Sequence, residues 1–277
     1  MNTQKISIII CSIEAGKFAR ISESWRHLFR QHSLEIIGIH DAKSLTEGYN
    51  RGISRSTGEI LIFSHDDILI LDDDFAKKIT VRLQDYDLLG FAGTSKLITG
   101  TWFAAGQPHI HGVVAHAKPK QPFISLDVFG VGDGPVVPDI KAIDGLCMIA
   151  TREVAETVGF DADIFDGFHL YDLDFSFSAW QRGYKLGVCC DMPIIHESAG
   201  NFDERHHRYK IAFIQKHQDN LDNLETGKEL ISSKGRSIAL KTVDALRRSW
   251  QPDLLKRATI AIRRDRRNTA PPQSDHP

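Results

Sequence analysis

The chain has 277 residues, 42% hydrophobic and 25% charged, which is enough apolar material for one large α/β domain with an appendage and excludes a disordered or fibrous sequence. Its net charge of −2 excludes a polyelectrolyte that would bind nucleic acid through overall charge. That average hides an asymmetry, since residues 234–267 carry eleven Lys/Arg against three Asp and leave the remainder acidic.

"KISIIIC" (5–11) is a β-branched run of strand length, suited to a sheet covered on both faces. A loop, "SIEAGK", leads to a helix over 18–32 with Phe18, Ile21, Trp25, Leu28 and Phe29 on one face. "LEIIGIH" (34–40) is the second strand. Ser44 with Glu47 three residues later has capping-box spacing and opens a helix that ends near Gly58. "EILIFS" (59–64) is the third strand. This β-α-β-α-β order with short connections predicts a parallel, doubly wound sheet, whose ligands bind at the carboxyl ends of the strands. Ser12, Asp41 and the run His65-Asp66-Asp67 all fall at those ends.

Further along, the pattern predicts a helix over 72–86 with an acidic first turn, a strand and loop over 88–96, and short strands and loops over 100–138. A strand over 140–151, a short helix over 152–159 and an amphipathic helix within 168–184 closed by Gly183 follow. "KLGVCCDMPIIH" (185–196) supplies a last strand pair, and 203–225 reads as a polar helix. The composition shift places a domain over 1–230, a basic helical extension over 231–267 and a disordered tail over 268–277. Four cysteines without a C-x-x-C pair read as free thiols in a reducing compartment. No signal peptide is visible and no apolar run reaches the ~18 residues of a membrane span, so a cytoplasmic protein is expected.

Three constellations could carry chemistry. Adjacent Asp66 and Asp67 repel one another unless a cation lies near; the plainer reading, a helix N-cap pair, is weakened by the better caps in "LDDDF" just beyond. Magnesium prefers carboxylates and substrate phosphates, and manganese also accepts imidazole, so Asp67 with a distant histidine suits Mn2+ or Mg2+ on a diphosphate. His196, at the end of the apolar run "PIIH", is the candidate, against a packed structural histidine, whereas His206 and His207 read as solvated surface. Asp172 and Asp174, two apart on a helix, point about 200° apart and cannot both face one site. A carboxylate among Phe168, Tyr171, Phe175 and Trp180 would have a raised pKa and could act as a general base, the alternative being one N-cap and one solvent-facing acid. Asp144-Gly145 is either a simple turn or a place where a ligand approaches the backbone. The absence of G-x-G-x-x-G, of G-x-x-x-x-G-K-[ST] and of G-x-S-x-G disfavours dinucleotide, P-loop and serine-hydrolase chemistry.

"SLTEGYNRGISRSTGEILIFSHDDILIL" resembles the nucleotide-binding half of family 2 glycosyltransferases of the GT-A fold, with Asn50-x-Gly52, Gly58-Glu59 and His65-Asp66-Asp67 standing for their N-x-G…G-E-[apolar]-D-x-D pattern. "FDADIFDGFHLYDLDFSFSAWQRGYKL" resembles the second signature, an acidic pair opening an aromatic-rich helix. The wording is similar to glycosyltransferase domains of streptomycin-type biosynthesis and bacterial polysaccharide clusters, over roughly residues 5–200. The resemblance implies that Asp67 binds the donor's metal, that His196 closes the metal site, and that Asp172 is the catalytic base. It assigns Ser12 and Asp41 to the nucleotide base and Asn50, His65, Asp66, Asp144 and Gly145 to the donor site. Two positions depart from the pattern: His65 replaces the first Asp, and Tyr171 stands where the family has Glu.

The implied function is metal-dependent, inverting transfer of a sugar from a nucleoside diphosphate, UDP favoured, to a glycan or lipid-linked acceptor in surface polysaccharide or glycoconjugate synthesis. No nucleic acid partner is expected. The rival readings are a nucleotidyltransferase, for which "SIEAGK" is a poor phosphate loop, and a non-catalytic sugar-nucleotide or glycan-binding module. In the extension, Val243, Leu246, Trp250 and Leu254 lie opposite Lys241, Arg247, Arg248, Lys256 and Arg257. That pattern fits a helix over 238–262 on the inner face of an anionic membrane, kinked or split by Pro252, with a helix packed on the domain as the alternative.

Overall fold

The computed structural model describes residues 4–117, 121–198, 204–223 and 235–269. Its first third follows the expected alternation: β1 (Ile6–Cys11), α1 (Ala15–Leu28), β2 (Leu34–Ile39), α2 (Leu45–Arg55) and β3 (Ile60–Ser64). The three strands pair in parallel in the order β2-β1-β3, with Ile6 beside both Leu34 and Ile60. Ser44 caps α2, its Oγ accepting the Glu47 N–H at 3.0 Å, while the Glu47 carboxylate reaches back to the Lys43 N–H at 3.2 Å.

The remaining elements are β4 (Ile68–Ile70), α3 (Phe75–Arg82), β5 (Leu88–Gly90), β6 (Ala92–Thr94), β7 (Ile110–His116), β8 (Ile124–Gly130), β9 (Val136–Ile140), β10 (Ala142–Ile143), β11 (Cys147–Thr151), α4 (Arg152–Val158), α5 (Tyr171–Gln181), β12 (Leu186–Cys189), β13 (Ile194–His196), α6 (Glu204–His217), β14 (Arg236–Leu240), α7 (Val243–Ser249) and α8 (Pro252–Thr269). They build two seven-stranded sheets. The first runs β2-β1-β3-β11-β5-β12-β9; the second runs β10-β6-β7-β13-β4, with β8 on β7 and β14 on β8. Trp25, Phe63, Phe75 and Phe175 are fully buried, each worth about 1.5–3 kcal/mol relative to exposure.

Several expectations need correction. The first sheet is mixed rather than wholly parallel, because β11 runs antiparallel to β3 and β5, and β9 antiparallel to β12. The strands expected over 88–96 and 140–151 are each broken, at Phe91 and at 144–146, where the chain passes from one sheet to the other. The final two strands do not pair: β12 joins the first sheet and β13 the second. Helix α3 starts only at Phe75, since Asp72 turns its carboxylate to Lys78 Nζ at 2.6 Å and to the Asp74 N–H at 3.0 Å. Helix α5 is buried nearly all round rather than amphipathic, because α6 covers its second face and anchors Asp174 through Lys216 and His217, each at 2.8 Å. Gly183 ends this segment at φ 86, a conformation open to glycine.

The extension is not one helix from 238. Residues 236–240 form β14, antiparallel to β8, and Pro252 opens α8 as a separate helix after α7. Leu246, Trp250, Leu255 and Ala258 are buried, and Trp250 Nε1 donates to the Cys190 carbonyl at 2.8 Å. Half of the stripe expected to meet a membrane is thus packed on the domain, while Val243 and Leu254 stay exposed. The boundary expected near residue 230 lies outside the described residues, as does the tail expected over 268–277 apart from residues 268 and 269, which belong to α8. Among the described residues no helix is long and apolar enough to cross a membrane. The four cysteines are free, Cys11 partly exposed and the others buried.

Candidate active site

A cavity of about 540 Å³ opens where the two sheets meet, lined by the end of β3, the break between β10 and β11, the first turn of α5, and strands β7, β8 and β14. His65, Asp67 and His196 gather beside it. Asp67 lies in the connector that takes the chain from β3 to β4, and β13 brings His196 alongside, paired with Ile68. His196 Nε2 is 3.3 Å from Asp67 Oδ1 and 3.3 Å from His65 Nδ1. One ligand atom from each of the three lies within 4.8 Å of the others. Burial, with His196 beside it, pushes the His65 imidazole below its ordinary pKa and keeps it neutral. For Asp67 burial acts upward, but hydrogen bonds from His196 and Ser198 hold the carboxyl well below the usual range.

Two imidazoles and a carboxylate form a donor set that fits a divalent ion, manganese accepting both ligand types. The orientation of His65 supports this. Its Nε2 lies 2.7 Å from the Tyr171 hydroxyl, and that hydroxyl donates onward to the Gly145 carbonyl at 3.2 Å. In the tautomer that leaves the hydroxyl hydrogen to Gly145, Nε2–H donates to Tyr171 and the Nδ1 lone pair faces Asp67 and His196. The two departures from the family pattern are thus partners. Tyr171→Phe should leave the unfolding midpoint nearly unchanged and weaken manganese uptake about tenfold or more, read by calorimetric titration of the metal.

Asp172 faces the same cavity from the first turn of α5. Its Oδ2 accepts the Gly145 N–H at 2.7 Å. Burial and the neighbouring Asp144 carboxylate push its carboxyl up to about 7. Asp144 is fixed by Trp102 Nε1 at 2.9 Å and by the Leu146 N–H at 3.2 Å. A Cβ on Gly145 would sit 2.3 Å from the Tyr171 hydroxyl and 2.7 Å from Asp172 Cβ, so the close approach that requires glycine there is made by the site's own side chains. Leu170, immediately before α5, is left-handed at φ 58 and buried, an unusual backbone held by packing that sets the first turn of the helix.

The other expected site residues lie elsewhere. Ser12 donates to Asp66 Oδ2 at 2.6 Å, and the pair ties the loop after β1 to the β3–β4 connector outside the cavity lining. Asp41 is exposed and is held by two guanidinium contacts from Arg51, at 2.8 and 3.2 Å. Asn50 braces the loop after α4: its Nδ2 donates to the Phe160 carbonyl at 2.7 Å and its Oδ1 accepts the Phe160 N–H at 2.9 Å. Asp174 faces α6, away from Asp172, as the helix spacing required. His206 is not plain surface; it lines the cavity with its ring 5.6 Å from that of His169. Sequence reasoning passed over Trp102, His116 and Asp127. His116 ends an apolar strand as His196 does, and that shared pattern was the available signal.

A metal-fitting triad and a raised carboxylate now share one cavity, and the glycosyltransferase-like family matches residues 7–217. The chain belongs to the glycosyltransferase-like family. Several solved structures resemble this glycosyltransferase. The mannosyltransferase PcManGT from Pyrobaculum calidifontis, in complex with GDP-Man and Mn2+, is 11% identical at a TM-score of 0.45, covering 98% of this chain and 77% of its own. S. aureus TarS, residues 1–349, is 12% identical at 0.46, over 80% of this chain and 67% of its own. GalNAc-T7 with UDP, GalNAc and Mn2+ is 10% identical at 0.51, over 77% of this chain and 48% of its own, so this glycosyltransferase spans about half of that protein. At such identities the likeness concerns the fold, which is of the expected α/β GT-A type. No curated protein sequence matches the chain.

Proposed function

We propose that this glycosyltransferase moves a sugar from a nucleoside diphosphate to an acceptor hydroxyl, with Asp172 as the base. The observation that carries this reading is the setting of Asp172: a carboxylate in a cavity, beside Asp144, with its pKa brought to about 7, near the optimum for proton transfer at neutral pH. His65, Asp67 and His196 would hold a divalent ion, manganese or magnesium, which when bound neutralises charge on the diphosphate leaving group. Asp172 takes the proton of the acceptor hydroxyl while that oxygen bonds to the anomeric carbon and the bond to the diphosphate breaks. A single displacement of this kind needs one carboxylate and inverts the anomeric centre. The Gly145 N–H holds Asp172 in place, and Tyr171 fixes the His65 ring.

The donor nucleotide is UDP on this reading, and the acceptor a glycan or lipid-linked hydroxyl in bacterial surface polysaccharide or glycoconjugate synthesis, handled in the cytoplasm at the membrane face. The test is a thermal-shift panel of nucleoside diphosphates with and without Mn2+ or Mg2+. A rise in midpoint that requires nucleotide and metal together is expected, because a ligand of the folded state stabilises it by mass action. A flat response to every pair would overturn the assignment. Membrane contact now rests on exposed Lys241, Arg247, Arg248 and Arg257 with exposed Val243 and Leu254, rather than on the buried Leu246 and Trp250. Arg247→Glu with Arg248→Glu should cut sedimentation with phosphatidylserine vesicles about tenfold or more, since each basic residue near an anionic surface contributes about 1 kcal/mol. Equal sedimentation of parent and variant would remove the membrane role.

A further inference from the structure

Among the described residues the exposed aromatic side chains are two phenylalanines, Phe123 and Phe168, 37% and 52% accessible, and both line the cavity. Phe168 stands on a segment tied down from two sides. The Leu45 N–H donates to the Gly167 carbonyl at 3.0 Å, and the Tyr209 hydroxyl donates to Asp166 Oδ1 at 2.6 Å. A Cβ on Gly167 would sit 2.5 Å from that hydroxyl, so the segment lies flush on α6. Phe123 immediately precedes β8. Alternate residues Phe123, Ser125, Asp127 and Phe129 line the cavity, while Leu126 and Val128 between them are fully buried. One exposed ring would need no explanation, but two on the walls of one cavity offer an apolar surface to a ligand.

The strip along β8 is polar in its middle, where Ser125, at 3.0 Å, and Ser237 of β14 donate to Asp127 Oδ1. At its other end Phe129 packs edge-on against Trp102, ring centroids 4.9 Å apart, and Trp102 Nε1 is the group that fixes Asp144. Rings at both ends with oxygens between them match a pyranose, whose C–H hydrogens gather on one face and whose hydroxyls line its edge. The electron-rich face of an aromatic ring attracts such hydrogens, and carboxylate and hydroxyl oxygens accept from the sugar's hydroxyls. Charge narrows the choice. Asp127, Asp144 and Asp172 all line the cavity, and none of its described lining residues is lysine or arginine. A metal ion would offset the charge of a donor diphosphate, but an anionic acceptor would add its charge to that of the three carboxylates.

We propose that the acceptor is an uncharged sugar residue seated between Phe168 and the β8 strip, with Phe123 and Phe168 as the rings that hold its apolar face. This inference rests on the nucleotide-sugar reading, and it places the acceptor beside Asp172, four residues beyond Phe168. The probes are glucose, galactose, mannose, rhamnose and N-acetylglucosamine, with glucuronate and glucose 6-phosphate as anionic counterparts. Saturation-transfer NMR titrations of the full chain with UDP and Mg2+ measure their binding. At least one uncharged sugar should bind, with transfer strongest to the C–H hydrogens of one ring face, and both anions should bind about tenfold more weakly or not at all. Phe168→Ala and Phe123→Ala should each weaken that sugar about fivefold or more, as for a lost apolar contact, and Phe168→Tyr should restore it. The ligand-free unfolding midpoint and its rise with UDP and metal should stay as in the parent, which a merely structural role for either ring would not allow. Parent-like affinity in either alanine variant overturns the proposal, as does an anion that binds as tightly as the best uncharged sugar. A parent that shows the rise with nucleotide and metal but takes up none of the uncharged sugars overturns this proposal alone. A parent without that rise sinks the nucleotide-sugar reading and the acceptor assignment with it, whether or not a sugar binds.

Discussion

Asp172→Asn should turn over donor and acceptor about a hundredfold to ten-thousandfold more slowly than the parent while still binding nucleoside diphosphate and metal, as expected for loss of a general base. The parent's rate should climb with pH and level off above about 7, where the carboxyl is ionised. The same change should stabilise the fold. Asp172 has a folded pKa of about 7 against an ordinary aspartate value of 3.8, so the native state binds the proton more tightly than the unfolded chain. Its contribution is therefore intact below the unfolded pKa and is lost as pH rises through the folded one. Asparagine carries no such loss. The variant should match the parent near pH 4 and exceed it above pH 7 by on the order of 1–3 kcal/mol, which is several degrees in midpoint for a chain of this size. Parallel denaturation curves at the two pH values measure it. An unchanged rate, or a variant less stable at high pH, would remove Asp172 as the base or the account of its burial.

Asp67→Ala, or His196→Ala, should lower manganese affinity about a hundredfold or more and abolish the metal-dependent rise in midpoint with nucleoside diphosphate. Turnover should fall with it and return in part at high metal concentration, because the remaining two ligands still converge. Calorimetric titration of Mn2+ into parent and variants is the measurement. A variant that takes up the ion as the parent does would dissolve the triad as a metal site and leave His65 and His196 as packed histidines.

What the sequence disclosed follows the range of the forces involved. β1, β2 and β3 were legible because each is a local apolar run, and the Ser44 cap because its partner is three residues away. Asp172 was legible as a carboxylate embedded in aromatics, and Asp67 and His196 as polar residues that end apolar strands. The bond between His65 and Tyr171 joins positions 106 apart, and no local pattern reports it. Strand β14 was read as helix because basic residues at helical spacing dominate its surroundings, whereas the pairing edge that makes it a strand belongs to β8. The amphipathic reading of α5 failed because its second face is covered by α6, an element more than twenty residues away.

The chain switches between its two sheets five times through connectors of one to four residues: 65–67, 91, 141, 144–146 and 190–193. On the proposed reading two of these stitches carry chemistry, His65 with Asp67 in one and Asp144 with Gly145 in another. Lengthening either would shift metal ligands against base, so relatives that keep the activity should accept insertions at surface turns such as 84–87 and refuse them at these seams. The distance between leaving group and nucleophile is thus written into how tightly two layers are sewn together, and engineering aimed at larger acceptors should widen the walls and leave the stitching alone.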